Sequence, residues 1–203
     1  MALVSAVHAE EAPEPVGAAV GLLLMAEAMD DAAIGRVYRN TSLSGEGRGA
    51  LTFGSWLEAG VSVGYRRMAG LELSASGLET TRSSWLWYAP LSATIGGAWT
   101  LRDLTAFANG GPSVVFWAEE AKPESGAGYS GGKLGFVVDA GLRMPVPGVG
   151  PSLFAPDEGL RGLDIEADIG YRHSLRSYVG CAEAPCGLDF SALRIGAGLR
   201  ARF

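Results

Sequence analysis

Charge is scarce in this sequence: 19% of its 203 residues are Asp, Glu, Lys or Arg. Only two of the sixteen basic residues are lysines, Lys122 and Lys133, so a solvated lysine coat is missing. The remaining arginines suit buried bidentate ion pairs better. Low charge with a mean hydropathy of +0.18 excludes a disordered chain. A net charge of −6 and a pI near 5.0 leave nucleic acid without the basic surface it needs in a partner. Histidine is nearly absent, and of His8 and His173 the first lies in an N-terminal leader-like stretch. A histidine-based metal site is therefore not expected. Phosphate-binding loop, nucleophile elbow and dinucleotide fingerprint are all missing, so no cofactor is expected.

Long hydrophobic runs are missing too. The longest charge-free stretch, Ser83 to Leu101, is long enough on paper for a membrane helix, but Pro90, Gly96, Gly97 and several Ser and Thr interrupt it. With a period of two it separates cleanly. Trp85, Trp87, Ala89, Leu91, Ala93, Ile95, Gly97 and Trp99 share one face; Leu86, Tyr88, Pro90, Ser92, Thr94, Gly96 and Ala98 share the other. Tryptophans at both ends of an apolar face mark a membrane-crossing strand with aromatic girdles.

The same alternation runs from Leu57 to Arg66, from Leu71 to Ser76, from Leu104 to Glu119, from Leu134 to Met144, from Leu163 to Arg172 and from Leu193 to Phe203. An eighth strand is expected over Gly17 to Glu27. That segment is apolar on both faces, and a helix over Leu22 to Ala33 competes because Ala, Leu, Met and Glu favour one. An even strand count favours the strand. Asp30 to Gly49 reads as a long loop in which Gly45 to Gly49 is flexible, and Met68 to Gly70 and Thr100 to Asp103 read as tight turns. Connections then alternate between long and short, except for the long sixth, Pro145 to Gly162.

Glycine is abundant: 30 residues, about twice the average usage of about 7%, without a period of three. The polar strand faces carry much of it, as a narrow barrel lumen demands. A soluble sandwich or lipocalin-like barrel would not place its aromatics near the strand ends of the apolar face. The expected fold is all-β: a transmembrane antiparallel up-and-down β-barrel of eight strands over residues 16–203. Residues 1–15 read as a residual signal peptide, ending in Val7-His8-Ala9, followed by an acidic tail.

The chain ends in an alternating strand, Gly-Leu-Arg-Ala-Arg-Phe, with Phe203 terminal. This resembles the C-terminal assembly signal of outer-membrane proteins. With eight candidate strands, the chain resembles the small OmpA/OmpX-like outer-membrane β-barrel group. The resemblance implies a bacterial outer-membrane location, contact with outer-membrane lipid and lipopolysaccharide, insertion by the barrel-assembly machinery and no enzymatic role. His173-Ser174 sits where lipid A deacylases of similar size keep a His-x-Ser pair. Here the two residues are adjacent, so alternation sends them to opposite faces.

Lumenal charges are the main candidates for a site. Glu58, Arg66, Glu72, Asp139, Arg143, Asp164, Glu166, Asp168, Arg194, Arg200 and Arg202 all fall on inward faces. A cation site or acid–base pair at Asp164, Glu166 and Asp168 competes with a simpler reading, an ion-pair plug, because unpaired buried charge is costly. Tyr65, Trp85, Trp87, Trp99, Tyr171 and Phe203 are expected in the aromatic girdles. Cys181 and Cys186 are expected to form a disulfide within the last long loop. Two functions fit: a plugged scaffold presenting loops to another envelope or extracellular protein, or a narrow channel for small or hydrophobic solutes lined by Leu23, Met25, Phe107 and Trp117.

Overall fold

The structure, a computed structural model, describes residues 15–38, 41–73, 79–121, 129–149, 159–175 and 189–203. Both the leader reading of residues 1–15, apart from Pro15 itself, and the Cys181–Cys186 disulfide lie outside them. Eight strands run β1 Pro15–Met29, β2 Thr41–Phe53, β3 Leu57–Leu73, β4 Glu79–Leu101, β5 Leu104–Ala121, β6 Tyr129–Pro145, β7 Gly162–Ser174 and β8 Ala192–Arg202. Each pairs antiparallel with the next, and β8 closes on β1 from Ala19↔Arg202 to Met29↔Ala192. Past the end of β8, Phe203 continues the seam: its N–H donates to the Ala18 carbonyl at 2.8 Å.

Alternation along each strand sets the wall. Val20, Leu22 and Leu24 point out while Ala19, Leu23 and Met25 point in, so the first segment is a strand from end to end. The competing helix fails because the seam between β2 and β8 would otherwise be open, leaving two rows of unpaired backbone in lipid. Helix starts only at Ala32, where α1 (Ala32–Tyr38) follows β1. On the outside, Leu22 is 75% exposed, Leu134 67% and Ile95 61%. Exposure of that order over a whole wall is lipid-facing.

Two expectations about the chain path are corrected. Asp30 to Gly49 is not a long loop, since β2 occupies Thr41–Phe53 and pairs with β1 from Pro15 to Ala28. Its period of two is present but faint, because Gly45, Gly47 and Gly49 fill the outward positions between Leu43 and Leu51. Met68 to Gly70 is not a turn either; β3 runs through it, with Arg66 and Met68 inward and Arg67 and Ala69 outward. Two adjacent arginines followed closely by a glycine imitate a chain reversal. In fact Gly70 leaves room for α1: a Cβ there would sit 2.5 Å from the Tyr38 ring and the Val37 carbonyl. One strand missed and one strand split cancel in the count of eight.

The tight connections are residues 54–56, with Gly54 at φ 60°, and residues 102–103, with Arg102 at φ 57°. Both lie at the rim that carries the paired chain ends, which short turns identify as the periplasmic rim. The sixth connection also lies there and is long. It leaves β6 through a hydrogen bond from the Val146 N–H to the Leu163 carbonyl, 2.8 Å, and residues 150–158 of it are outside the described set. The opposite rim carries α1.

A closed barrel of this kind resists detergent until boiled. An unheated sample is expected to migrate on a denaturing gel as a band distinct from the boiled chain, and Gly70→Val, which drives a side chain into α1, to lower the temperature at which that band is lost. One mobility at all temperatures, with solubility in the absence of detergent, would overturn the barrel.

Candidate functional site: the lumen and its two ends

The inward faces bring together seven carboxylates and seven arginines; six of each form one continuous ion-paired network, and Arg202 with Asp164 stands beside it as a separate pair. The carboxylates are Glu27, Glu46, Glu58, Asp139, Asp164, Glu166 and Asp168; the arginines are Arg48, Arg66, Arg143, Arg172, Arg194, Arg200 and Arg202. All but Arg202 and Arg48 have side chains less than a tenth exposed. In such a site each charge must have a partner or its desolvation goes uncompensated.

Toward the periplasm, Glu58 on β3 receives a two-pronged guanidinium from Arg143 on β6, at 2.8 and 2.9 Å. Arg200 on β8 donates to the same carboxylate at 2.8 Å. Arg143 also donates its Nε to Glu166 at 2.7 Å, and its guanidinium lies 3.9 Å from the centre of the Phe107 ring. Below them Arg202 pairs with Asp164 at 3.0 Å and is half exposed at the mouth. In the middle, Arg48 on β2 bridges Glu46, Glu166 and Asp168. Arg194 spans Glu46 and Asp139. Toward the extracellular end Glu27 collects Arg66 at 3.0 Å, Arg172 at 3.3 Å and the Tyr88 hydroxyl. The Arg66 and Arg172 guanidiniums lie 5.5 and 5.3 Å from the Tyr88 ring.

Above Glu27 the lumen turns apolar. Met29, Ile34, Tyr38, Met68, Leu86, Tyr88, Val115 and Phe190 form one buried cluster, with Val37 and Trp117 against it. Phe190 stacks at 5.3 Å from Tyr88 and 6.0 Å from Trp117. Tyr38, at the end of α1, donates its hydroxyl to Glu119. Here α1 is the cork, its Ile34 and Tyr38 buried among the β-strand side chains.

Free space is correspondingly small. A vestibule of about 360 Å³ opens at the periplasmic end and stops at Glu58, Arg143 and Arg200. Beyond that layer the charged lattice holds a cavity of about 30 Å³. That is room for two or three waters at about 10–15 Å³ each. Glycine makes the rest fit: a Cβ at Gly170 would overlap the Asp139 carboxylate, and one at Gly196 would overlap Met25 and Asp168.

Sequence reasoning assigns lumenal roles to many of these residues but not to Glu27, Glu46, Arg48, Tyr88 or Arg172. Glu46 and Arg48 lie on the strand that reads as a loop. Glu27 ends a segment whose faces are both apolar. Arg172 carries the signal, being two residues beyond Gly170 on an inward face. Glu72 lies on β3, but its side chain is outside the described set. Asp164, Glu166 and Asp168 do not form a site of their own, since each faces an arginine, and no metal-ligand cluster occurs among the described residues. His173 and Ser174 part as expected: the imidazole packs on Phe136 at 5.2 Å outside, while the Ser174 hydroxyl bonds Asp189 at 3.0 Å inside. Of the aromatics, Tyr65, Trp85, Trp87 and Tyr171 sit toward the extracellular rim, and Trp99 and Phe203 toward the periplasmic one, joined by Trp56 of a turn that sequence reasoning does not single out. Tyr171 donates to Asp30 at 2.6 Å.

Removing a hub carboxylate should cost more than removing a rim pair. Glu58→Ala leaves Arg143 without one partner and Arg200 without its nearest, and is expected to lower unfolding free energy by about 3–5 kcal/mol. Arg202→Ala, at the half-exposed mouth, is expected to lower it by about 1 kcal/mol or less. Urea unfolding in lipid vesicles, followed by tryptophan fluorescence, measures both; equal losses would sink the lattice as the source of stability.

No family model matches the sequence, and no curated protein matches it. Among solved structures, a major outer membrane protein from Thermus thermophilus is similar with a TM-score of 0.54 at 13% identity, covering 91% of this chain and 99% of that one. The attachment invasion locus protein Ail of Yersinia pestis, in complex with the heparin analogue sucrose octasulfate, gives 0.49 at 12% identity, covering 92% and 97%. The N-terminal β-barrel domain of Pseudomonas aeruginosa OprF gives 0.47 at 11%, covering 91% and 97%. The likeness is one of fold, and it rests on the Thermus thermophilus protein. Eight closed antiparallel strands with a lipid-facing wall make this chain a transmembrane β-barrel of the bacterial outer-membrane type.

Proposed function

We propose that the protein is a plugged scaffold of the bacterial outer membrane. It anchors in the lipid and offers its extracellular connections to another envelope or extracellular protein, without an enzymatic role. Its terminal strand, ending in Phe203, is the segment the barrel-assembly machinery would engage. Its outer girdle would meet lipopolysaccharide. The observation that carries this reading is double closure of the lumen. A salt-bridged lattice fills the middle, and the apolar cork of α1, Phe190 and their neighbours fills the extracellular end.

The residues that could have lined a route for solutes are occupied otherwise. Leu23, Met25 and Phe107 are buried in the packed lumen, and Trp117 packs against Phe190. Passage of an ion would require parting charge pairs in a space that holds only two or three waters to take their place. Reconstituted in a planar bilayer, the barrel is expected to give no single-channel steps above background. Reproducible steps would overturn the plugged reading in favour of a narrow channel.

A further inference from the structure

Among the described residues the outer wall is almost free of charge. Among the described strand side chains, Arg67 on β3 is the one ionised group that points outward and is exposed. Its guanidinium lies over the Trp85 ring, 4.1 Å from the ring centre, and its backbone pairs with Trp87. Tyr65, two residues earlier on the same face, is 56% exposed. No carboxylate among the described residues forms an ion pair with Arg67, although seven are enclosed on the other side of the wall.

The level of Arg67 in the bilayer follows from β4. Trp87 and Trp99 lie on one face, twelve residues apart, near the two rims. At a rise of about 3.3 Å per residue and a strand tilt of about 40°, they are about 30 Å apart along the barrel axis. The apolar band of such barrels is about 25 Å tall. Trp87, and Arg67 beside it, therefore stand at the headgroup level of the outer leaflet. A cation held there on a lipid-facing wall, ion-paired with no described carboxylate, faces the anions of the bilayer. The acceptors at that level are lipid phosphates. A guanidinium fork matches two phosphate oxygens, and stacking on Trp85 orients it with its donors free to face the lipid.

We propose that Arg67, with Trp85 beneath it and Tyr65 beside it, binds the phosphate of an anionic outer-leaflet lipid. This deepens the lipid contact of the preceding reading by giving it a site and a chemistry. One basic residue at a membrane surface attracts anionic lipid with a strength corresponding to about a five-fold preference.

The test uses the full chain refolded in detergent, with retained lipids counted by native mass spectrometry. Phosphatidic acid, phosphatidylglycerol and zwitterionic phosphatidylcholine are supplied at equal concentration. The wild-type barrel is expected to retain both anionic lipids about five-fold over phosphatidylcholine, and R67Q to lose that preference while keeping its heat-modifiable gel band. If R67Q does not fold, R67M, which keeps an apolar stem against Trp85, repeats the comparison. A wild-type barrel without preference, or a neutral variant that keeps it, would overturn the site. Either result leaves the plugged scaffold standing, since that reading falls only on conductance.

Discussion

Hydrocarbon offers no hydrogen-bond partner to a peptide group, and everything else in this barrel follows from that. Each strand must satisfy its backbone on both edges, so the sheet has to close, and β8 meets β1 over eleven paired positions. Closure at eight strands leaves a lumen that side chains fill. The inward residues must then be small, or paired, or both. Glycines at 170 and 196 yield their volume to Asp139, Asp168 and Met25, and every inward carboxylate of the lattice finds an arginine.

The lumen is built in two chemistries, and their order along the axis has functional weight. Charge occupies the half nearer the periplasm and the centre, where a vestibule reaches the Glu58 layer. Apolar packing occupies the extracellular end, where α1 and Phe190 seal the barrel. Tyr88 joins the two, with its ring in the apolar cluster and its hydroxyl on Glu27. A neutral lumen of the same shape would pack as tightly. The ion pairs add directionality, because each guanidinium fork accepts few geometries. They also tie together strands far apart in the sequence: Glu58 and Arg200 are 142 residues apart, Arg194 and Glu46 148.

Much of the wall is legible in the residues. Period-two alternation from Leu104 to Glu119 and from Leu163 to Arg172 assigns each side chain to the face it occupies, because a strand offers only two faces and lipid accepts only one kind of residue. The same rule falters where the outward residues are glycine. At Gly45, Gly47 and Gly49 hydropathy carries no contrast, so β2 is invisible, and Glu46 and Arg48 go with it. It falters again at Arg66-Arg67, where a strand crossing the headgroup level puts one cation inside and one outside, and the pair imitates a turn.

Local alternation is a property of neighbours in the chain, so the residues alone were enough for the class, the approximate strand count, the facing of most strands and the pool of charges the lumen contains. Which carboxylate meets which arginine had to wait for the folded barrel. Pairing depends on register and on side chains meeting across the lumen from strands that are not adjacent. Arg48 reaches Glu166 from β2 to β7, and Arg143 reaches Glu58 from β6 to β3. The cork belongs to the same category. Seven residues of short helix carry no signal of their own, and only a closed wall, with Gly70 beneath Tyr38, gives them a place to pack.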